Sequence, residues 1–349
     1  MQEHKLIKNI KHMKILITGG AGFIGSHTAV ELLAAGHTPI ILDNFSNSEK
    51  WILERIEKIT GTKVSFYEGD CIDKNFVESV FAAEKNIDGV IHFAGLKAVG
   101  ESIEKPLEYY RNNLDSSLTI LEIMQKFKTK FFIFSSSATV YGEAETNPIS
   151  ETAPRKPATN PYGNTKAMIE DITHDAVTAS QSLSAISLRY FNPIGAHPSG
   201  LIGELPKGTP NNLVPYLVQV AAGKREFLTV FGDDYDTPDG TGVRDFIHVV
   251  DLAKAHVATL EYLQKQTAPF YDIFNVGTGN GTSVKELITA FEKANGVPVP
   301  YQIGPRRAGD IAACWADPQK INTLMGWQSE KTIATAMQDA WNWEKNQEK

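Results

Sequence analysis

Short apolar runs punctuate the first half of the chain, and each is followed by a stretch long enough for a helix. The first is Lys14-Ile15-Leu16-Ile17-Thr18. Residues 39–42 form the next and end in Asp43, with Pro39 tolerable only as the first strand residue because it has no N–H to donate. Residues 64–67 end near Asp70, and residues 89–93 lead into Ala94-Gly95-Leu96-Lys97. Residues 131–134 lead into Ser135-Ser136-Ser137, and residues 185–190 into Phe191-Asn192-Pro193. The runs are nearly continuous in apolar residues, which is the pattern of strands buried on both faces. Their alternation with helices predicts an α/β fold, a doubly wound parallel sheet.

Past residue 190 the texture changes. Residues 192–245 are rich in Gly, Pro and Asn, with one helix expected at 212–222. Residues 246–262 read as a strand and a helix that rejoin the first layer, and 265–349 as a mixed α+β tail. The expected organisation is a first domain at 13–190, rejoined by about 240–265, and a smaller α+β domain at 191–349.

The first strand runs straight into Gly20-x-Gly22-x-x-Gly25, with Gly19 adding a second spacing, Gly19-x-x-Gly22-x-x-Gly25. A glycine motif between strand and helix lets backbone approach a pyrophosphate, whose charge the helix N-terminus favours. Asp43 closes the second strand and is placed to accept both ribose hydroxyls of an adenosine. A carboxylate there repels a 2′-phosphate, so the expected cofactor is NAD.

Composition narrows the classes. Of 349 residues, 21% are charged and 42% hydrophobic, ordinary for a soluble enzyme of about two domains. The net charge of −7 argues against a nucleic-acid surface. The two cysteines, Cys71 and Cys314, give neither a disulfide framework nor a metal spacing and fit a reducing cytoplasm. No run approaches the ~20 apolar residues of a membrane span. Residues 1–12 read as a polar, basic leader without a signal-peptide core.

Tyr162 and Lys166 lie one helical turn apart on one face. A tyrosine must lose about three pKa units, roughly 4 kcal/mol, to ionise near neutral pH. One cation ~5 Å away in an effective dielectric of ~20 supplies about 3 kcal/mol. An oxidised nicotinamide would be a second cation. Ser137, at the end of another parallel strand, can reach the same edge and orient a reacting hydroxyl.

The Gly-rich turn followed by Ser137, Tyr162 and Lys166 resembles the extended short-chain dehydrogenases/reductases. Longer runs are similar to the UDP-glucose 4-epimerases, over about residues 13–345. They are His92-Phe93-Ala94-Gly95-Leu96-Lys97-Ala98-Val99-Gly100-Glu101-Ser102, Pro106-Leu107-Glu108-Tyr109-Tyr110, Ser135-Ser136-Ser137-Ala138-Thr139-Val140-Tyr141-Gly142 and Leu188-Arg189-Tyr190-Phe191-Asn192-Pro193. Gly240-Thr241-Gly242-Val243-Arg244-Asp245 and Pro305-Arg306-Arg307 extend the match into the second half.

The resemblance implies a Rossmann-type NAD-binding domain, a UDP-sugar-binding domain and a homodimer through two helices of the first domain. It implies transient oxidation at sugar C4, rotation of the 4-keto sugar about its diphosphate, and return of hydride to the other face. Tyr162 would be the base, Lys166 would lower its pKa and bind the nicotinamide ribose, and Ser137 would bind the reacting oxygen. Implied cofactor contacts fall on Gly19, Gly22, Phe23, Ile24, Gly25, Asp43, Asn44, Asn47, Ser48, Asp70, Cys71, Phe93, Lys97, Asn112, Tyr162, Lys166 and Phe191. Implied substrate contacts fall on Ser137, Asn192, Asn212, Leu213, Phe231, Arg244, Arg307, Asp310 and Cys314. No metal is implied.

One departure and two rivals matter. Relatives restricted to UDP-glucose and UDP-galactose typically carry Tyr where this chain has Cys314, so a wider pocket and turnover of the N-acetylated sugars are expected. A 4,6-dehydratase would need carboxylates where Ala138-Thr139 follow Ser137; a uronate epimerase would need a further cation. A non-catalytic NAD-binding regulator would not be expected to keep Ser137, Tyr162 and Lys166 together.

Overall fold

The apolar runs assemble as a seven-stranded parallel sheet in a computed structural model of the chain, which describes residues 11–307 and 309–347. The expected leader at 1–12 lies outside the described residues apart from Lys11 and His12. The first half runs β1 (Lys14–Thr18), α1 (Phe23–Ala34), β2 (Thr38–Asp43), α2 (Ile52–Thr60), β3 (Ser65–Glu68), α3 (Lys74–Glu84), β4 (Gly89–His92), α4 (Val99–Glu104), α5 (Pro106–Phe127), β5 (Phe131–Ser137), α6 (Pro161–Ala179) and β6 (Ser184–Tyr190). The second half runs β7 (Asn192–Ile194), α7 (Leu213–Ala221), β8 (Leu228–Phe231), β9 (Val243–Arg244), β10 (Phe246–His248), α8 (Val249–Leu263), β11 (Phe270–Val276), β12 (Thr282–Ser283), α9 (Val284–Asn295), β13 (Tyr301–Gly304), β14 (Ala313–Cys314), α10 (Gln319–Met325) and α11 (Ile333–Asn346).

The strand order is β11-β6-β5-β4-β1-β2-β3. Chain direction across the sheet reverses between β1 and β4, and a crevice opens at their carboxyl ends, where ligands of such sheets bind. Alternation divides the core. Leu16, Ile40, Leu42, Val90, Phe132 and Phe134 pack beneath α3, α5 and α6. Ile15, Ile17, Ile41, Ile91, Ile133 and Ile186 face α1, α2 and α8. Each such fully buried side chain contributes about 1.5–3 kcal/mol. This double burial is why the strands read as continuous apolar runs.

The structure corrects three details. Pro39 is the second residue of β2, not the first. The Thr38 amide donates to Met13 O on the β1 side at 2.9 Å, so the Pro39 nitrogen faces the β3 side, where pairing begins only at Ile40 with Ser65. β5 extends three residues past Phe134, so Ser137 is its last residue and caps a 3-10 turn, Ala138–Tyr141. The tail also contributes β11, which pairs with β6 at a sheet edge. The smaller layer packs α7, α9 and α11 around Leu217, Val230, Leu287, Phe291 and Met337.

Candidate active site

The crevice begins at the turn after β1. Gly19 has φ +67, and a Cβ on it would lie 3.0 Å from the Ala94 nitrogen on the neighbouring β4 loop. A Cβ on Gly25 would lie 2.3 Å from Gly19 O and 2.8 Å from Gly20 Cα, both backbone. The turn and α1 are therefore in direct backbone contact. The first intrahelical bond, Ser26 N to Gly22 O at 2.9 Å, leaves the amides of Phe23, Ile24 and Gly25 at the helix mouth. That donor set fits a pyrophosphate.

Asp43 is buried, and its carboxylate is fixed. Oδ2 accepts from Ala21 N at 3.0 Å; Oδ1 accepts from Phe45 N and Ser48 Oγ, each at 2.8 Å. Its remaining acceptor capacity suits a ribose hydroxyl. Asn44 Nδ2 donates to Asp70 Oδ2 at 3.0 Å, closing the ends of β2 and β3 into one rim. Asn47 is exposed and Asn112 half-buried. Cys71 lies in the core, where burial pushes its thiol up, so its backbone is the part that a cofactor can meet. Phe93 packs edge-on to His256, with centroids 4.9 Å apart. Exposed Lys97 pairs with Glu204 at 3.1 Å.

The α6 N-terminus carries the proposed proton-transfer pair. Asn160 caps it by accepting from Gly163 N at 2.8 Å, and Pro161 follows at the first helical position. Tyr162 is half-buried, and Ser137 is the side chain that acts on its hydroxyl. Lys166 is buried, donates to Ser135 O at 2.7 Å, and lies 5.6 Å from the centre of the Tyr162 ring. Ser137 Oγ also accepts from Thr139 Oγ1 at 3.0 Å.

The electrostatics reverse the expected sign at Tyr162. Burial raises its pKa, and the Ser137 hydroxyl opposes that rise. Lys166 is itself lowered to about 8 by burial, against the attraction of Glu170. The ammonium bonds a backbone carbonyl and lies over the ring. The protein alone thus holds a neutral phenol beside a weakened cation.

The substrate candidates gather across the crevice. Ser137 pairs in register with Tyr190, so Phe191 and Asn192 continue from its neighbour. Asn192 N donates to Asp245 O at 2.9 Å, and Asp245 N to Cys314 O at 3.1 Å. Phe191, Asn192, Arg244 and Cys314 thereby share one row beside Ser137. Arg244 and Arg307 converge on Asp310, at 3.8 and 3.0 Å, and Arg307 lies 4.8 Å over the Phe231 ring. Asn212 reaches Glu204 Oε1 at 2.6 Å, the oxygen that Lys97 also engages. Leu213 packs against the core of the smaller layer. Among the described residues, no group of three or more His, Cys, Asp or Glu can hold a metal, and no helix is long and apolar enough to cross a membrane.

Sequence reasoning missed three organising residues. Asn113 accepts from Leu96 N at 2.8 Å and donates to Thr165 Oγ1 at 3.1 Å, tying the β4 loop to α6. Asp245, fully buried, accepts from Thr278 N, Gly279 N and Ala316 N at 2.8, 3.0 and 3.2 Å, which sets β14 beside β9. Glu170 is the third. A polar residue in line with the apolar positions of its helix was the available signal for Asn113; Glu170 shares its stripe with Lys166 and Thr173 and had none.

A Rossmann-type sheet with a Gly-rich turn into α1 and Ser137, Tyr162 and Lys166 gathered at its edge is the architecture of the short-chain dehydrogenase/reductase class. The model of the NAD dependent epimerase/dehydratase family matches residues 15–277. A UDP-glucose 4-epimerase of Bacillus subtilis is 55% identical over 95% of this chain and 97% of its own. The UDP-glucose 4-epimerase of Bifidobacterium longum, solved in complex with NAD+ and UDP, superposes with TM-score 0.92 at 54% identity, covering 96% of this chain and 98% of that one. The UDP-Glc/GlcNAc 4-epimerase of Campylobacter jejuni gives TM-score 0.82 at 41% identity, over 96% and 99%. The chain belongs to the NAD-dependent epimerase/dehydratase family and, within it, to the UDP-glucose 4-epimerases. It is an NAD-dependent isomerase.

Proposed function

We propose that the chain inverts C4 of UDP-glucose and UDP-galactose with Tyr162 as the single proton-transfer residue, and that it also accepts the N-acetylated UDP-sugars. The first part is carried by the placement of Tyr162 on the α6 turn whose Lys166 holds Ser135 O at 2.7 Å, two residues from Ser137 at the end of β5. The Gly19–Gly25 turn and the rim of β2 and β3 would hold NAD, which would supply the acceptor and then the donor of the C4 hydride. Tyr162 takes the proton of the 4-hydroxyl and returns it after the sugar has turned. Ser137 holds the reacting oxygen. Lys166 holds the ribose and favours the phenolate. Because burial alone raises Tyr162, the phenolate form depends on positive charge brought by the cofactor as well as on Lys166. Arg244 and Arg307 can grip the diphosphate by charge-assisted hydrogen bonds, and Asp310 is a ribose acceptor between them. Tyr162→Phe, folded and loaded with NAD, is expected to lose epimerisation; near-normal turnover would overturn the mechanism.

Cys314 supports the wider substrate range. It stands beside Arg244 in register and packs against the small cluster that includes Phe191, with a side chain much smaller than tyrosine. NMR of products from UDP-glucose and UDP-N-acetylglucosamine, run in parallel, tests this. Robust conversion of the first with none of the second would sink it.

Two further readings follow. Leu107, Ile103, Leu118 and Met168 are 78%, 56%, 40% and 37% exposed on α4, α5 and α6, an apolar stripe suited to a homodimer. Leu107→Glu is expected to convert a dimer to a monomer in light scattering; an unchanged mass would refute that surface. The free thiols of Cys71 and Cys314 support a reducing, cytoplasmic setting, checked by fractionating the source cells.

A further inference from the structure

We propose that Glu170 is a positioning residue for proton transfer. Its carboxylate, bonded to Ser136 on β5 and Arg189 on β6, fixes the helix carrying Tyr162 and Lys166 against the strand end carrying Ser137. The inference rests on the role given above to those three residues.

Glu170 lies four residues beyond Lys166 and eight beyond Tyr162, on the same face of α6. It is 1% exposed. Ser136 Oγ donates to Oε1 at 2.6 Å. Arg189 donates from Nε to Oε1 at 2.8 Å and from Nη2 to Oε2 at 2.6 Å, a two-pronged pair. Arg155 adds a longer contact to Oε2 at 3.5 Å. Ser136 and Arg189 are register partners on adjacent strands, so one carboxylate staples both strands to α6.

The helix therefore grips two consecutive residues of β5 and faces a third. Lys166 holds Ser135 O, Glu170 holds the Ser136 hydroxyl, and Tyr162 faces the Ser137 hydroxyl. A slip of α6 would open both bonds together and carry Tyr162 away from Ser137. Arg189 extends the brace by lying 4.6 Å over the Tyr141 ring at the end of the turn that Ser137 caps. Stability alone does not call for a buried ion pair here. Well-packed apolar residues of similar size are often neutral or better, because they avoid desolvating two charges. Glu170 is also the charge that opposes the effect of burial on Lys166.

The test compares Glu170→Gln, the paired Glu170→Leu/Arg189→Met replacement and Tyr162→Phe, measuring melting temperature, NAD content, and kcat and KM for UDP-galactose. Glu170→Gln is expected to lower kcat by about 10- to 100-fold, the scale of a ~1 Å misplacement of reacting groups, with KM and NAD content unchanged. The paired replacement is expected to regain the melting temperature that Glu170→Gln loses, without regaining kcat. Wild-type kcat in Glu170→Gln, with Tyr162→Phe inactive, overturns the positioning role alone. Recovery of kcat together with stability in the paired variant also overturns it, by reducing the pair to packing. If Glu170→Gln does not fold, the paired variant decides between these. Turnover by Tyr162→Phe instead overturns the underlying role of the phenol.

Discussion

Lys166 carries a charge where its surroundings work against one. Burial lowers it to about 8 from an ordinary 10.5, a penalty of about 3 kcal/mol on the charged form. Between about pH 8 and 10.5 the unfolded chain binds more protons at this residue than the native one, so this group makes stability rise with pH across that window. Below pH 8 both states are protonated and the penalty is fully present. The stability advantage of Lys166→Met over the parent is therefore expected to shrink by up to about 3 kcal/mol from pH 7.5 to 10.5 in urea unfolding. A difference independent of pH would contradict this account. That Tyr162, Lys166 and Ser137 lie close together was legible because their spacing and order carry the signal. The sign of the Tyr162 shift was not, because it depends on how closely the fold surrounds the hydroxyl. Glu170 was illegible for a related reason: its bond to Ser136 spans 34 residues.

Among the elements, α1 and α6 show what local pattern can and cannot announce. The start of α1 was readable, since glycines between an apolar strand and a helix have few other uses. Gly25→Ala is expected to cost about 1–3 kcal/mol and most bound NAD, because the new methyl meets rigid backbone at 2.3 Å. Gly100→Ala on α4, where an added Cβ meets nothing within 4 Å, is expected to keep NAD and to gain up to about 1 kcal/mol. Thermal unfolding and the absorbance of purified protein check both; equal NAD content would contradict the cradle. In α6 the buried stripe includes Lys166, Glu170 and Thr173. A hydropathy pattern reads such residues as solvent-facing, so the packing of this helix was hidden. β11 was hidden differently. Asp272 and Asn275 interrupt its apolar run, which an edge strand with a Lys320 partner for Asp272 tolerates.

For the whole molecule, buried neutral histidines set the acid limit. His27 and His92 are lowered to about 3 and His256 to about 4, all by burial. Below pH 6.5 the unfolded chain takes up protons at these positions and the native chain does not, so stability falls with pH at about 1.4 kcal/mol per unit for each proton. The raised carboxyls of Glu31, Glu151 and Asp245 act in the opposite sense and soften the slope. Unfolding free energy is expected to drop between pH 7 and 5, and His92→Gln to flatten that drop; equal stability at both pH values would contradict it. The sequence by itself determined the parallel sheet, the Gly-rich turn into α1, the acidic residue that ends β2 and the Ser/Tyr/Lys order, because each follows from local periodicity or short spacing. Only the tertiary structure decided what surrounds them. It placed β11 in the sheet, set Cys314 beside Arg244, tied Lys97 and Asn212 to one carboxylate, and locked Glu170 between two strands. Those are contacts between distant segments, and burial and desolvation, which set charge and position at such contacts, exist only once the chain has closed around them.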